Sequence, residues 1–204
     1  MAGLARSDSP PALIRYACPM GKLYSDITPE LRAWIARQPM FFVATAPLAG
    51  DGHVNCSPKG LDALRILDAR TAAYVDLTGS GAETAAHLHE NGRIVLMFCA
   101  FEGAPKIVRL HGRGEVVVPS SPDWADLAAQ LPMKPSARSI VRVHVSRVSD
   151  SCGFGVPRMD LVGQRDVMDR WVENKGLASL PAYRQEKNAR SIDGLPTPPF
   201  DAAG

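Results

Sequence analysis

The sequence predicts a mainly β fold: an antiparallel sheet of six or seven short strands closed into a small barrel, with helices on its periphery. Three observations predict it. Short apolar or alternating runs recur from Met40 to Val148, separated by turn residues. The links between them hold only short helices, whereas a parallel sheet needs crossovers of a dozen or more residues. Gly112 and Gly114 fall inside one long strand pattern, where a barrel strand bends.

The chain divides by character into an N-terminal extension (1–27), a barrel domain (28–150) and a C-terminal helical tail (151–204). In the second part, Thr28 is an N-cap residue, Pro29 suits the first helical position and Glu30 the first turn. Leu31, Trp34 and Ile35 then fall on one helical face, and Pro39 stops the helix. Met40 to Ala46 is aromatic and β-branched, which suits a buried strand. Gly50-Asp51-Gly52 is a turn. From His53 the pattern alternates: His53, Asn55, Ser57 and Lys59 share one face, Val54 and Cys56 the other.

Ala63–Leu67 and Ala72–Leu77 form a hairpin around Asp68-Ala69-Arg70. Thr78-Gly79-Ser80-Gly81 leads into a helix over 82–90, ended by Asn91-Gly92. Arg93 to Phe101 is nearly continuous apolar sequence, as in a strand buried on both faces. Lys106–Val118 is a long strand whose polar face carries Arg109, His111, Arg113 and Glu115. A short helix lies over 122–130, and Ile140–Val148 alternates as a last strand. The tail opens with a glycine-rich loop, Cys152 to Pro157. It continues with a helix over 166–175 bearing Met168 and Trp171, and a short helix over 183–190. It is too apolar for disorder and is expected to dock on the barrel or on a partner subunit.

Composition excludes several functions. The net charge is +2 with both signs interspersed, which argues against binding nucleic acid through bulk charge. No apolar run approaches the roughly 18 residues of a membrane span. The first twenty residues carry three prolines and no apolar signal core. Four widely spaced cysteines suit a reduced, cytoplasmic protein. His87 and His89 point about 200° apart on a helix. His53, His111 and His144 lie on polar strand faces without carboxylates at ligand spacing, so no metal site is expected. No G-x-S-x-G elbow or dinucleotide fingerprint occurs.

The pattern that remains is an anion site. A strand, a glycine turn and a helix start present backbone N–H groups and a partial positive charge. Ser57, Lys59, Thr78 and Ser80 would add a charge and directed hydroxyls around one phosphate. An exposed lysine in a turn, on a solvated edge strand, is the competing reading.

HVNCSPKG, AYVDLTGSGAETAAHLHENGRIVLMFCAF and PKIVRLHGRGEVV, in this order, resemble the pyridoxamine 5'-phosphate oxidase-like FMN-binding split β-barrels. The resemblance covers about Gln38 to Val148. It implies a homodimer with FMN in a groove between subunits. It assigns cofactor contacts to Asn55, Ser57 and Lys59, to Asp76, Thr78, Gly79 and Ser80, and to Glu83 and Thr84. Trp171 and the tail are candidates to cover the ring.

The true oxidase carries a Ser-Arg-Lys phosphate clamp where this chain has Ala82-Glu83-Thr84. Its Arg-x-x-Leu-Leu-Lys strand is not reproduced at Ala63-Leu64-Arg65-Ile66-Leu67-Asp68. Either Lys59 and Arg65 take over the phosphate, or FMN binds weakly, or another cofactor serves. The resemblance thus implies an FMN-dependent oxidoreductase acting on a small molecule, with His53, His111 and Arg109 as candidate acids. A non-enzymatic flavin-binding protein and a deazaflavin-dependent reductase remain as alternatives.

Overall fold

The computed structural model describes residues 21–201. Its centre is one curled antiparallel sheet. Seven strands run in the order β3-β2-β6-β7-β8-β5-β4: β2 (Phe41–Thr45), β3 (Asn55–Lys59), β4 (Leu64–Ile66), β5 (Thr71–Leu77), β6 (Arg93–Cys99), β7 (Ile107–Val117) and β8 (Ala137–Ser151). A two-residue strand, β1 (Leu23–Tyr24), flanks β8. This is the antiparallel split barrel with peripheral helices that the alternation predicts.

The core lies inside the curl. Phe41, Val43, Tyr74, Leu96, Phe98, Leu110 and Val143 are fully or almost fully buried there. Tyr74 meets the Phe41 ring edge-on at 5.5 Å, which joins β5 to β2 through the interior rather than through the ladder. A register shift between His111 and Gly112 bends β7 against β8.

Helix α1 (Pro29–Ala36) begins as its signals predict. The Thr28 hydroxyl accepts from the Leu31 N–H at 3.3 Å, and Leu31 and Ile35 are buried. Helix α2 (Glu83–Glu90) follows the glycine turn, and Gly92, at φ +70°, turns the chain into β6. Helix α3 (Trp124–Ala128) crosses to β8, and α4 (Val167–Lys175) and α5 (Leu180–Lys187) form the tail.

Of the boundaries that differ from the sequence reading, three bear most on the architecture. Strand β1 lies in the stretch read as extension, because two residues carry no periodicity. It is fixed through Asp150, which accepts from the Lys22 N–H at 2.8 Å and the Tyr24 hydroxyl at 2.5 Å. Strand β8 is longer than Ile140–Val148 because β5 pairs with its start and β1 and β7 with its end. Helix α5 starts earlier, at Leu180, with Pro181 in its first turn. Cys18 and most of the extension lie outside the described residues.

Candidate flavin-binding site

Strand β3 is an edge strand, but its polar face is not solvated. Asn55, Ser57 and Lys59 are half-buried, while Cys56 and Pro58 are exposed. The inward side chains meet β5, near the opposite end of the sheet, and the start of α2.

Lys59 Nζ donates to Asp76 Oδ1 at 3.0 Å, and Arg138 Nε donates to Asp76 Oδ2 at 2.7 Å. Burial alone would raise the Asp76 pKa. The two cations outweigh it and hold the carboxyl at about 2, so Asp76 is ionised throughout the physiological range. Arg138 is buried beneath the Phe200 ring, 5.0 Å from its centroid.

Asn55 and Ser57 join a second network. Ser57 donates to Asn55 Oδ1 at 2.9 Å; Asn55 Nδ2 donates to Thr45 at 3.1 Å and Thr84 at 2.9 Å. Thr45 Oγ1 lies 2.9 Å from His87 Nδ1. Burial lowers the His87 pKa and favours the neutral ring.

The glycine turn is fastened from behind by the tail. Thr78 is fully buried, and its hydroxyl donates to the Ser136 carbonyl and accepts from Arg184 Nε at 3.0 Å. Arg184 also pairs with Asp201. Asn188 Nδ2 donates to the Gly79 carbonyl at 2.9 Å, and the Ile192 N–H donates to Glu83 Oε1 at 3.3 Å. Among the described residues, the N–H groups of Gly79, Ser80 and Gly81 have no protein acceptor. The N-cap of α2 is Ala82, which offers no side-chain cap.

In front of the turn lies a cavity of about 730 Å³. Lys59, Thr78, Gly79 and Ser80 line its barrel side; Met168, Trp171 and Tyr183 line its tail side. Trp171 and Tyr183 meet edge to face at 5.1 Å. The fold therefore gathers Lys59, the turn and Trp171 into one cavity, with Asp76 behind Lys59. Asn55, Ser57 and Thr84 form the adjacent buried network. Arg65 stands apart: its guanidinium takes both Asp62 carboxylate oxygens at 2.8 Å, and it does not line the cavity.

The sequence reading missed Arg138, Arg184, Asn188 and Tyr183. Arg184 and Asn188 are four apart on one helical face, a spacing that could have flagged them. Arg138 precedes the alternating part of β8 and carried no signal. The histidines do not converge. His53 contacts Asp193 at 2.6 Å and His144 contacts Glu115 at 3.1 Å, while His111 pairs in register with Arg147. Among the described residues no three metal-ligating side chains come together.

The sequence model of the pyridoxamine 5'-phosphate oxidase family matches residues 27–152. The pyridoxamine 5'-phosphate oxidase family protein ustO of Aspergillus flavus is 40% identical over 192 residues, spanning 85% of this chain and 76% of that one. The chain belongs to the pyridoxamine 5'-phosphate oxidase family. Solved structures with similarity include HupZ from Group A Streptococcus, 27% identical over 60% of this chain and 91% of that one, with a TM-score of 0.48. An FAD binding protein from Mycobacterium smegmatis is 16% identical over 61% of this chain and 92% of that one, with a TM-score of 0.44.

The first residue of α2, Glu83, accepts from the Ile192 N–H through Oε1. The cations around the turn are Lys59, Arg138 and Arg184, and the carboxylates are Asp76, Asp201 and Glu83, so these charges balance and the free N–H groups are what remains to bind an anion. With free N–H groups, the exposed Ser80 and an aromatic wall, this donor set fits a ligand with an anionic end and a planar ring.

Proposed function

We propose that this chain is an FMN-dependent oxidoreductase acting on a small molecule, working as a cytoplasmic homodimer. The observation that carries the reading is the cavity that unites Lys59, the Thr78–Ser80 turn and Trp171. Lys59 and the N–H groups of 79–81 would hold the phosphate, supported from behind by Asp76 and Arg138. Asn55, Ser57 and Thr84 would order the neighbouring strand face, and Trp171 would cover the ring. FMN, when bound, supplies the hydride chemistry. The protein supplies charge, a shaped wall and exclusion of water.

The homodimer is supported by the segment between β8 and α4. It lacks regular structure, yet it presents Phe154 at 64% exposure and Val162 fully to solvent. A second subunit covering such a surface would remove that apolar area from water. Cys56 and Cys152 are exposed and unpaired, as suits a reducing compartment. Among the described residues no helix is long and apolar enough to cross a membrane.

The test is the absorbance spectrum of purified protein, before and after incubation with FMN. Flavin bands that remain with the protein through gel filtration are expected. A protein that stays colourless overturns the reading, and a deazaflavin spectrum moves it to the reductase alternative. Bound flavin without turnover with reduced nicotinamides or oxygen leaves a flavin-binding protein.

A further inference from the structure

Beyond Lys59 and the glycine turn, the same cavity is mostly apolar. Met40, Phe101, Met159, Met168, Trp171 and Tyr183 contribute to its remaining wall, with Asp160, Gln164 and Arg165 as polar members. Three thioethers adapt to irregular shapes, and the Trp171–Tyr183 pair offers a ring face for stacking. A strained turn adds to this wall. Leu61 and Asp62 both have positive φ, 59° and 56°, a conformation non-glycine residues rarely adopt. Arg65 holds Asp62 at two points, and the turn places Leu61 on the cavity wall. Backbone strain is thus spent on lining the cavity with one more aliphatic side chain.

Apart from Arg165, the cations nearby are committed. Lys59 and Arg138 share Asp76, Arg184 is held by Thr78 and Asp201, and Arg65 by Asp62. Lys175 lies over the Trp171 and Tyr183 rings, 5.7 and 4.8 Å from their centroids, and does not line the cavity. Arg165 lines it from the exposed strap, and Asp160 lines it from the same strap. Once one phosphate occupies Lys59 and the turn, no built cluster of cations among the described residues is left for a second.

We propose that the substrate taken into this cavity is an uncharged, ring-bearing apolar molecule and not a phosphorylated amine. The inference rests on the flavin reading for its reaction, but its binding preference can be measured separately. FMN-loaded protein is titrated with menadione, a neutral quinone, and with pyridoxamine 5'-phosphate, following tryptophan and flavin fluorescence. Menadione is expected to bind at least tenfold more tightly. Met168→Glu places a charge on the wall and is expected to weaken menadione at least tenfold. Pyridoxamine 5'-phosphate binding as tightly as menadione overturns the proposal, as does a Met168→Glu variant that binds menadione normally. The same titrations on FMN-free protein separate the two readings. If FMN never binds but menadione is still preferred, the flavin reading falls and the substrate class stands.

Discussion

Lys59 and Asp76 belong to strands near opposite ends of the sheet order, yet Lys59 Nζ lies 3.0 Å from Asp76 Oδ1. No ladder joins β3 to β5, so this ion pair closes the barrel across its split. Asp76 also receives Arg138. Its pKa, about 2, lies below the unfolded value, so its stabilisation is complete above about pH 4 and is lost as pH falls toward 2. The effect is on the order of 2 kcal/mol. Asp76→Asn is expected to abolish that acid dependence. At neutral pH it is expected to cost about 3–5 kcal/mol, because the buried Arg138 charge is left uncompensated. Urea unfolding at pH 2 to 7 measures both. If the single variant does not fold, Asp76→Asn with Arg138→Met restores folding. A single variant as stable as the parent would show that the network does not close the barrel.

Lys59 and Arg65 are expected to differ sharply toward FMN. Lys59→Ala removes the partly exposed cation on the cavity wall and should weaken FMN at least tenfold, or about 1.4 kcal/mol. Arg65→Ala releases Asp62 but touches no cavity-facing donor, so FMN affinity should change less than threefold. Fluorescence titration of both variants decides it. Equal losses would return Arg65 to the site.

The strands and their closure into an antiparallel sheet were legible because alternation and turn residues report directly on which faces are buried; which strand lies beside which was not. The inward face of β3 was also legible as a set, from Asn55, Ser57 and Lys59. What alternation cannot give is what lies opposite. That Lys59 meets Asp76 depends on closure between strands far apart in the sheet order. The hidden partners Arg184 and Asn188 sit over a hundred residues from Thr78 and Gly79, on a helix whose docking no local pattern encodes. Arg65 was assigned by its charge and its strand. Its engagement with Asp62 follows from the two-residue positive-φ turn, which glycine-free Leu61-Asp62 gives no reason to expect.

The tail contacts predict a measurable coupling. Arg184 and Asn188 hold two successive residues of the turn, each by a side chain that is itself buried. Arg184→Met with Asn188→Ala should free the turn, at roughly 1–3 kcal/mol per buried partner left unsatisfied. Hydrogen exchange is expected to quicken at Thr78 and Ala86, whose N–H groups donate to the Ser136 and Ala82 carbonyls on either side of the turn, while β6 and β7 keep their protection. Unchanged exchange there would mean that the turn holds its shape without the tail.

Gly112 tests the bend that curls the sheet. It sits where the β7–β8 register shifts, and a Cβ built there would lie 2.1 Å from the His144 carbonyl oxygen. Both groups are backbone within a paired ladder, so neither can rotate away. Gly112→Ala is therefore expected to destabilise the protein by about 1–3 kcal/mol or more, the range of an overpacked interior. Gly155→Ala, where a Cβ meets open space and the backbone is not in the left-handed region, should lie within about 0.5 kcal/mol of the parent. Thermal unfolding of the two variants side by side gives the comparison. If Gly112→Ala is as stable as Gly155→Ala, the bulge tolerates a side chain and the strand bend has another cause.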